Sequence, residues 1–252
     1  MEKEVLIIIP AYNEAQAISP VLKELKTLTN AFADILVIND SSADQTSRIV
    51  QEEGILVASQ VFNLGYGSAL QTGYKYAIRY GYQYIIQLDA DGQHDPMNVL
   101  HIYERLKSDR KPDIVIGSRF LEGSQSFKVS GIKRMTMKYF SFIIQRFGHQ
   151  KITDPTSGLQ GLSRAAFLYY SSFNLFDNQY PDANVLLLMS LLEYQIEEIP
   201  AIMYARESGT SMHSGLKPIF YMLVMNLCIF NVILRVKRHK EKRKLNYEKP
   251  AM

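Results

Sequence analysis

Asp89-Ala90-Asp91-Gly92-Gln93-His94 is the densest run of reactive side chains in this 252-residue sequence. Two carboxylates two residues apart, on a turn after an apolar run, repel each other and need compensating charge. A divalent cation supplies it, because Mg²⁺ typically takes one or two carboxylates and fills its shell with water and phosphate oxygens. Gln93 adds an amide oxygen. The segment also reads as ordinary Asp-Gly turn chemistry, so its neighbours in chemistry matter. Asp40 ends another apolar run, where a carboxylate can accept from a nucleobase edge or a ribose hydroxyl, or simply close an Asx turn or cap a helix. In Pro10-Ala11-Tyr12-Asn13-Glu14, Tyr12 offers a stacking face and Glu14 an acceptor for ribose hydroxyls. Asn13 as a helix cap with Glu14 in the first turn is the plainer alternative. Asp154, in Thr153-Asp154-Pro155-Thr156-Ser157-Gly158, is a candidate general base or acceptor-orienting group, or else a turn-stabilising acid before proline. Arg119, Lys133, Arg134, Arg206 and His213 complete the polar candidates, while Tyr180-Pro181-Asp182-Ala183-Asn184 receives no role.

These residues need rigid elements behind them. Val5–Ile9 is a β-branched and leucine run with the pattern of a strand buried on both faces, Ile35–Ile38 reads as a second buried strand, and Ile55–Val57, Tyr84–Leu88 and Ile114–Ile116 read as three further strands. Between them, Ile18–Leu28, Ser47–Glu53, Tyr66–Tyr80 and Met97–Lys107 read as helices. Strands alternating with helices predict an α/β fold with a mostly parallel sheet. Asn13-Glu14, Asp40, Asp89-Asp91 and Ser118-Arg119 all fall just after strand ends, where open α/β sheets bind ligands, so one shared cleft is expected. Past residue 120 the alternation weakens, consistent with a second half that completes the cleft. Gly65-Tyr66-Gly67 opens a helix like a dinucleotide fingerprint. The third glycine is missing, since position 70 is Leu, and the motif follows the third strand, which argues against a Rossmann dehydrogenase.

Taken together, the chain resembles the family 2 glycosyltransferases, which have the GT-A fold. The carrying segments are Ile7 to Glu14 (IIIPAYNE), Val37 to Thr46 (VINDSSADQT), Asn63 to Ala77, Leu88 to Pro96 (LDADGQHDP) and Val115 to Arg119 (VIGSR). The resemblance spans roughly residues 4–215. The Gln-His after the aspartates is similar to the dolichol-phosphate mannose synthase and polyprenyl-phosphate glycosyltransferase branch. The resemblance implies a GT-A type, Rossmann-like, mostly parallel sheet with helices on both faces. It implies that Pro10, Ala11, Tyr12, Glu14, Asp40, Asp89 and Ala90 hold the nucleotide sugar. Asp91 and Gln93 would hold Mg²⁺ or Mn²⁺, with Asp89 nearby. Arg119, Arg134 and Arg206 would face phosphate, with Arg119, Arg206 and Asp154 nearest the chemistry, and Arg206 to Ser211 resembles the branch's R-x-x-G-x-S loop. Asn39 departs from a more usual aspartate and Asp95 from a more usual proline; neither removes a ligand.

The expected activity is inverting transfer of a hexose or N-acetylhexosamine from a nucleotide sugar, expected to be UDP-linked, to a polyprenyl phosphate in cell-surface polysaccharide or glycan assembly. A sugar hydroxyl of a lipid-linked polysaccharide intermediate is the alternative acceptor and would need Asp154 as base. A nucleotidyltransferase should instead carry a Gly- and basic-rich phosphate loop after the first strand, where this chain has PAYNE. A metal-free sugar-binding module is the non-enzyme alternative.

Charge and hydropathy add a location. The net charge is +3, but eight Lys/Arg against two acids lie from Arg235 onward, leaving a mildly acidic body, which speaks against a nucleic-acid partner. The single cysteine excludes an intramolecular disulfide framework. Glu2-Lys3-Glu4 ahead of five apolar residues does not resemble a signal peptide. Pro218 to Leu234 is nearly all apolar, interrupted by Asn226 and Asn231, and spans roughly 25 Å as a helix. The expected organisation is a nucleotide-sugar half (1–120), an acceptor half (121–215), an apolar membrane-associated helix (216–236) and a basic tail (237–252). The helix is expected peripheral to or inserted in the cytoplasmic face of the cell membrane, with a small membrane protein as a further partner. A core helix of the globular domain is the alternative.

Overall fold

A computed structural model describes residues 3–127, 129–172, 177, 180–205 and 217–247, with side chains of the last segment described over 221–237. The element order is β1 (Val5–Ala11), α1 (Ile18–Thr29), β2 (Ala33–Asn39), α2 (Thr46–Glu52), β3 (Leu56–Ser59), α3 (Tyr66–Arg79), β4 (Tyr84–Gln87), α4 (Met97–Leu106) and β5 (Ile114–Ser118). It continues with α5 (Gly131–Gly148), β6 (Gln160–Ser163), α6 (Arg164–Tyr170), α7 (Ala183–Leu191), β7 (Ile196–Pro200) and α8 (Lys217–Tyr247). The five expected strands and four expected helices of the first half are present to within two residues at nearly every boundary.

All seven strands form one sheet in the order β3-β2-β1-β4-β6-β5-β7. Only β6 is antiparallel to its neighbours. β1 shows why these runs are strands. Val5, Ile7, Ile9 and Ala11 face one side, packing with Ile18, Leu22 and Leu25 of α1 and Val99 and Ile102 of α4. Leu6 and Ile8 face the other side, against Leu70 and Tyr74 of α3. Both faces are dry, so no polar alternation appears in the sequence. Sheet and helices therefore match the expected GT-A-like layering, and the two expected halves share this one sheet.

β6 has consequences for function. Gln160 pairs with both Gln87 and Ile116, so the chain just before β6 arrives at the edge where β4 and β5 end. The reversed strand thereby delivers residues 154–158 to the same rim as the other loops. Its sequence, Gln-Gly-Leu-Ser, gives no strand signal, because Gly161 lies under α4, where a side chain would overlap Ile102 and Leu106.

The C-terminal helix corrects an expectation. Among the described residues no helix is long and apolar enough to cross a membrane, so an inserted membrane helix over 216–236 is not supported. α8 instead runs unbroken through the expected boundary at 236. Arg235 and Lys237 cut the apolar stretch short. Its inner face, Tyr221, Met225 and Ile229, is buried in the same core as Phe140 of α5 and Leu186 and Met189 of α7. α7 is buried all round because it lies between these helices and the sheet.

Gly161→Ala should destabilise the domain by about 1–3 kcal/mol through overpacking beneath α4. Urea unfolding followed by far-ultraviolet circular dichroism measures this, and an unchanged midpoint would contradict the packing described.

Candidate active site

The rim at the carboxyl ends of β1, β2, β4 and β5 gathers the candidate residues into one cleft. The β1 and β2 loops are knitted together. Asn13 takes a left-handed conformation (φ 56°), and its Oδ1 accepts from the Ala43 amide at 2.8 Å. The Glu14 amide donates to Thr46 Oγ1 at 2.9 Å, and the Ala15 amide to Asp44 at 3.1 Å. Tyr12 is left exposed on this base, with its ring available for stacking, while Pro10 and Ala11 are buried at the strand end. Asp40 is buried, and its two oxygens accept from the Leu64 and Gly65 amides at 2.8 and 2.9 Å. That holds the turn into α3, where Gly65 has φ 94°, a conformation disfavoured for side-chain-bearing residues. Asp40 thus shapes a loop distant in sequence, rather than forming the Asx turn or the cap of the following helix that its position also suggested.

Asp89 stands at the centre. Its Oδ1 accepts from the Tyr66 hydroxyl at 3.0 Å, and burial with the Asp89 charge pushes Tyr66 well above its ordinary range, keeping it a donor. The Asp89 amide donates to Nδ1 of the buried His94 at 3.2 Å, fixing the turn. Gly158 forms the opposite wall, where a Cβ would stand 3.0 Å from both Asp89 oxygens and from the Tyr66 hydroxyl. Asp91 Oδ1 accepts from the Gln93 amide at 3.1 Å. Gln93 Nε2 donates to the Tyr204 carbonyl at 3.1 Å, which leaves its side-chain oxygen as the end that could face a cation.

The donor set fits a hard divalent cation. Asp89, Asp91 and Gln93 place carboxylate and amide oxygens on one turn, although among the described residues no group of three or more His, Cys, Asp or Glu could hold a metal by itself. That is the pattern of Mg²⁺ or Mn²⁺ sites completed by substrate phosphate, and unlike a zinc cage. Asp91 and Gln93 would hold the ion, with Asp89 beside them.

The side of the cleft expected to take the acceptor carries Arg119 and Asp154. Arg119 donates from Nε and Nη2 to the two Asp154 oxygens at 2.7 Å each, and its backbone amide adds a third bond at 3.0 Å. Nη2 also reaches Thr156 Oγ1 at 3.1 Å. Asp154 is wholly buried. Burial works against the Arg119 charge, but the Asp154 bonds and charge outweigh it and raise its pKa. Asp154 thereby fixes the position of Arg119. Arg134, near the start of α5, lies 5.9 Å from the Phe120 ring centre, and Arg119 lies 5.7 Å from the same ring. Two guanidinium groups thus lie against one ring, Phe120, just past the end of β5. Arg206 and His213 lie outside the described residues.

Two acids escaped the sequence reading. Glu198 of β7 accepts from the Thr153 and Asp154 amides at 2.8 and 2.9 Å, holding the Asp154 loop, and burial raises its pKa. Only its place in an Ile-Glu-Glu-Ile strand hints at an inward acid. Asp182 precedes α7 at the N-cap position without a side-chain cap bond, and its Oδ2 instead accepts from the Tyr221 hydroxyl of α8 at 2.9 Å. Burial pushes its carboxyl up to about 6, Tyr221 pulls it down, Asp177 and Asp89 push it further, and Arg119 counters them. A cavity of about 360 Å³ at the opposite edge of the sheet, lined by Lys3, Asp34, Tyr76 and Tyr82 among others, contains none of the candidate residues.

The layered sheet and the rim of carboxylates and arginines define a GT-A enzyme. Glucosyl-3-phosphoglycerate synthase from Mycobacterium tuberculosis, in complex with Mn²⁺, UDP and glucosyl-3-phosphoglycerate, superposes with a TM-score of 0.68 over 93% of this chain and 80% of that one, at 17% identity. The glycosyl transferase family 2 model matches residues 6–170, and the chain belongs to that family. It is a glycosyltransferase. It is 27% identical to the UDP-N-acetylglucosamine–dolichyl-phosphate N-acetylglucosaminyltransferase of Methanococcus voltae, over 89% of this chain and 96% of that protein. It is 28% identical to the undecaprenyl-phosphate mannosyltransferase of Micrococcus luteus, over 84% and 88%.

Two outcomes follow. Gly158→Ala should lower turnover about tenfold or more by crowding Asp89, with the fold retained; steady-state kinetics beside circular dichroism check it. Asp182 titrates near 6 when folded, against 3.8 for an ordinary aspartate, so its favourable contribution is fullest below about pH 4 and is lost as pH rises through 6. Asp182→Asn should therefore raise the melting temperature at pH 7.5, by about 1–3 kcal/mol of stability, and make little difference near pH 4. Thermal scans in EDTA at both pH values measure it.

Proposed function

We propose that this glycosyltransferase moves a hexose or N-acetylhexosamine, with inversion, from a UDP-linked sugar to the phosphate of a polyprenyl phosphate. The carrying observation is the Arg119–Asp154 pair. Both Asp154 oxygens are occupied by Arg119, which argues against a base role, while Arg119 and Arg134 present guanidinium groups suited to phosphate. A phosphate acceptor is already ionised at neutral pH and needs no base. The names of the dolichyl- and undecaprenyl-phosphate transferases among its relatives support the same acceptor class.

In this reading one acceptor phosphate oxygen attacks the anomeric carbon while the bond to the donor's diphosphate breaks on the opposite face. Tyr12 stacks on the base, Glu14 accepts from the ribose, and the Asp40-held turn brings Gly65 and the start of α3 close to the nucleotide. Asp89, anchored by Tyr66, positions the sugar diphosphate. Mg²⁺ or Mn²⁺ at Asp91 and Gln93 would neutralise charge on the departing diphosphate. Arg119, Arg134 and Arg206 would hold the acceptor phosphate in line. The work is assigned to the cytoplasmic membrane face, where a nucleotide sugar and a lipid phosphate meet. This mechanism requires no small membrane protein partner, and none of the relatives' names supports one.

The test is transfer of radiolabel from a panel of UDP-sugars to undecaprenyl phosphate in detergent with Mg²⁺ or Mn²⁺. A chloroform-soluble product is expected from one donor. Label passing only to an oligosaccharide would replace the lipid phosphate by a hydroxyl acceptor. Arg134→Ala should raise KM for the lipid phosphate about five- to tenfold with donor affinity kept, as initial-rate kinetics would read.

A further inference from the structure

α8 is apolar on two opposite faces. The face through Tyr221, Met225 and Ile229 is buried against the globular domain. Leu223, Leu227, Phe230 and Leu234 recur at three- and four-residue steps on the other face and are exposed. α5 repeats the pattern, burying Met137, Phe140 and Ile144 while Ile132, Met135 and Phe142 point outward. The two outer stripes meet where the Tyr139 hydroxyl of α5 donates to Asn226 Oδ1 of α8 at 2.6 Å. Across both stripes, the six residues Leu223, Leu227, Phe230, Ile132, Met135 and Phe142 each leave between 61% and 72% of their surface exposed. Soluble surfaces rarely expose so many large apolar groups together, and such patches mark interaction sites.

Charge selects the occupant. α5 carries Lys133, Arg134, Lys138 and Arg146 and no acid. α8 carries eight Lys or Arg against Glu241 alone. The whole chain is only +3, so its positive charge is concentrated on the two helices that bear the apolar stripes. A second copy docked through the same face would bring these cations together, which is unfavourable. An anionic bilayer offers hydrocarbon for the stripes and negative headgroups for the rim, at roughly 1 kcal/mol per basic residue near the lipid.

We infer that the joint outer face of α5 and α8 is a surface on which the enzyme lies against an anionic lipid bilayer, without a crossing helix. The face ends beside the cleft. Arg134 belongs to α5 and shares the Phe120 ring with Arg119, so docking brings the two arginines to the headgroup level. This orientation rests on the lipid-phosphate reading above; the docking surface itself does not.

The experiment is co-sedimentation of the full chain with phosphatidylcholine vesicles, with and without phosphatidylglycerol, in the absence of donor. Binding is expected to the anionic vesicles and to fall with salt. Leu227→Glu with Phe230→Glu, and separately Ile132→Glu with Met135→Glu, should each weaken it about tenfold or more while leaving melting temperature unchanged, since all four side chains are exposed. Equal binding by both double variants overturns the proposal. So does a wild-type dimer, seen by analytical ultracentrifugation, that the same substitutions dissolve. Transfer to detergent-dispersed undecaprenyl phosphate separates the two readings. Variants that lose vesicle binding but keep this activity support docking, whereas wild type that binds vesicles yet transfers nothing to the lipid defeats only the acceptor assignment.

Discussion

The buried ion pair between Arg119 and Asp154 is the constraint on which the β5–β6 side of the cleft depends. A carboxylate with no solvent contact is costly unless fully bonded. Here Arg119 engages both oxygens and Glu198 holds the backbone of the same loop. The pair ties the end of β5 to the segment entering β6, and through Glu198 to β7. It also fixes the plane of the guanidinium group, whose direction matters when the partner is phosphate. Charge and architecture are settled by one contact.

The donor side works by a different economy. Its acids are used largely to shape backbone: Asp40 holds the turn into α3, and Asp44 holds the β1 loop. Asp89 has its position set by Tyr66, His94 and the absence of a side chain at Gly158. The cleft is thus rigid where the nucleotide would lie.

The first half of the fold was legible because β1, β2, β4 and β5 are largely buried apolar runs closed by polar turns, so runs and breaks mark elements directly, while β3, half-exposed at the sheet edge, showed only as a short apolar run. β6 was illegible, since four residues including a packing glycine carry no periodicity. The candidate residues at the rim were found by their place after strands. Asp182 and Glu198 were not, because their importance comes from partners distant in sequence, Tyr221 and the Thr153–Asp154 backbone. The apolar run near the C-terminus was visible, but its inner covering was not. Half of that apolarity belongs to the core around α7, which no local pattern can distinguish from a lipid-facing surface.

The reversed central strand has a consequence for how the protein is made. β4 and β5 leave the ribosome well before β6, yet they do not pair with each other and are joined only through it. Until Gln160–Ser163 inserts, each presents an unpaired edge of buried, apolar sequence, the kind of surface that pairs with other chains. The same insertion brings the Asp154 loop to Arg119. Protection from misassociation and completion of the β5–β6 side of the cleft are therefore one folding event, and a nascent chain short of β6 has neither.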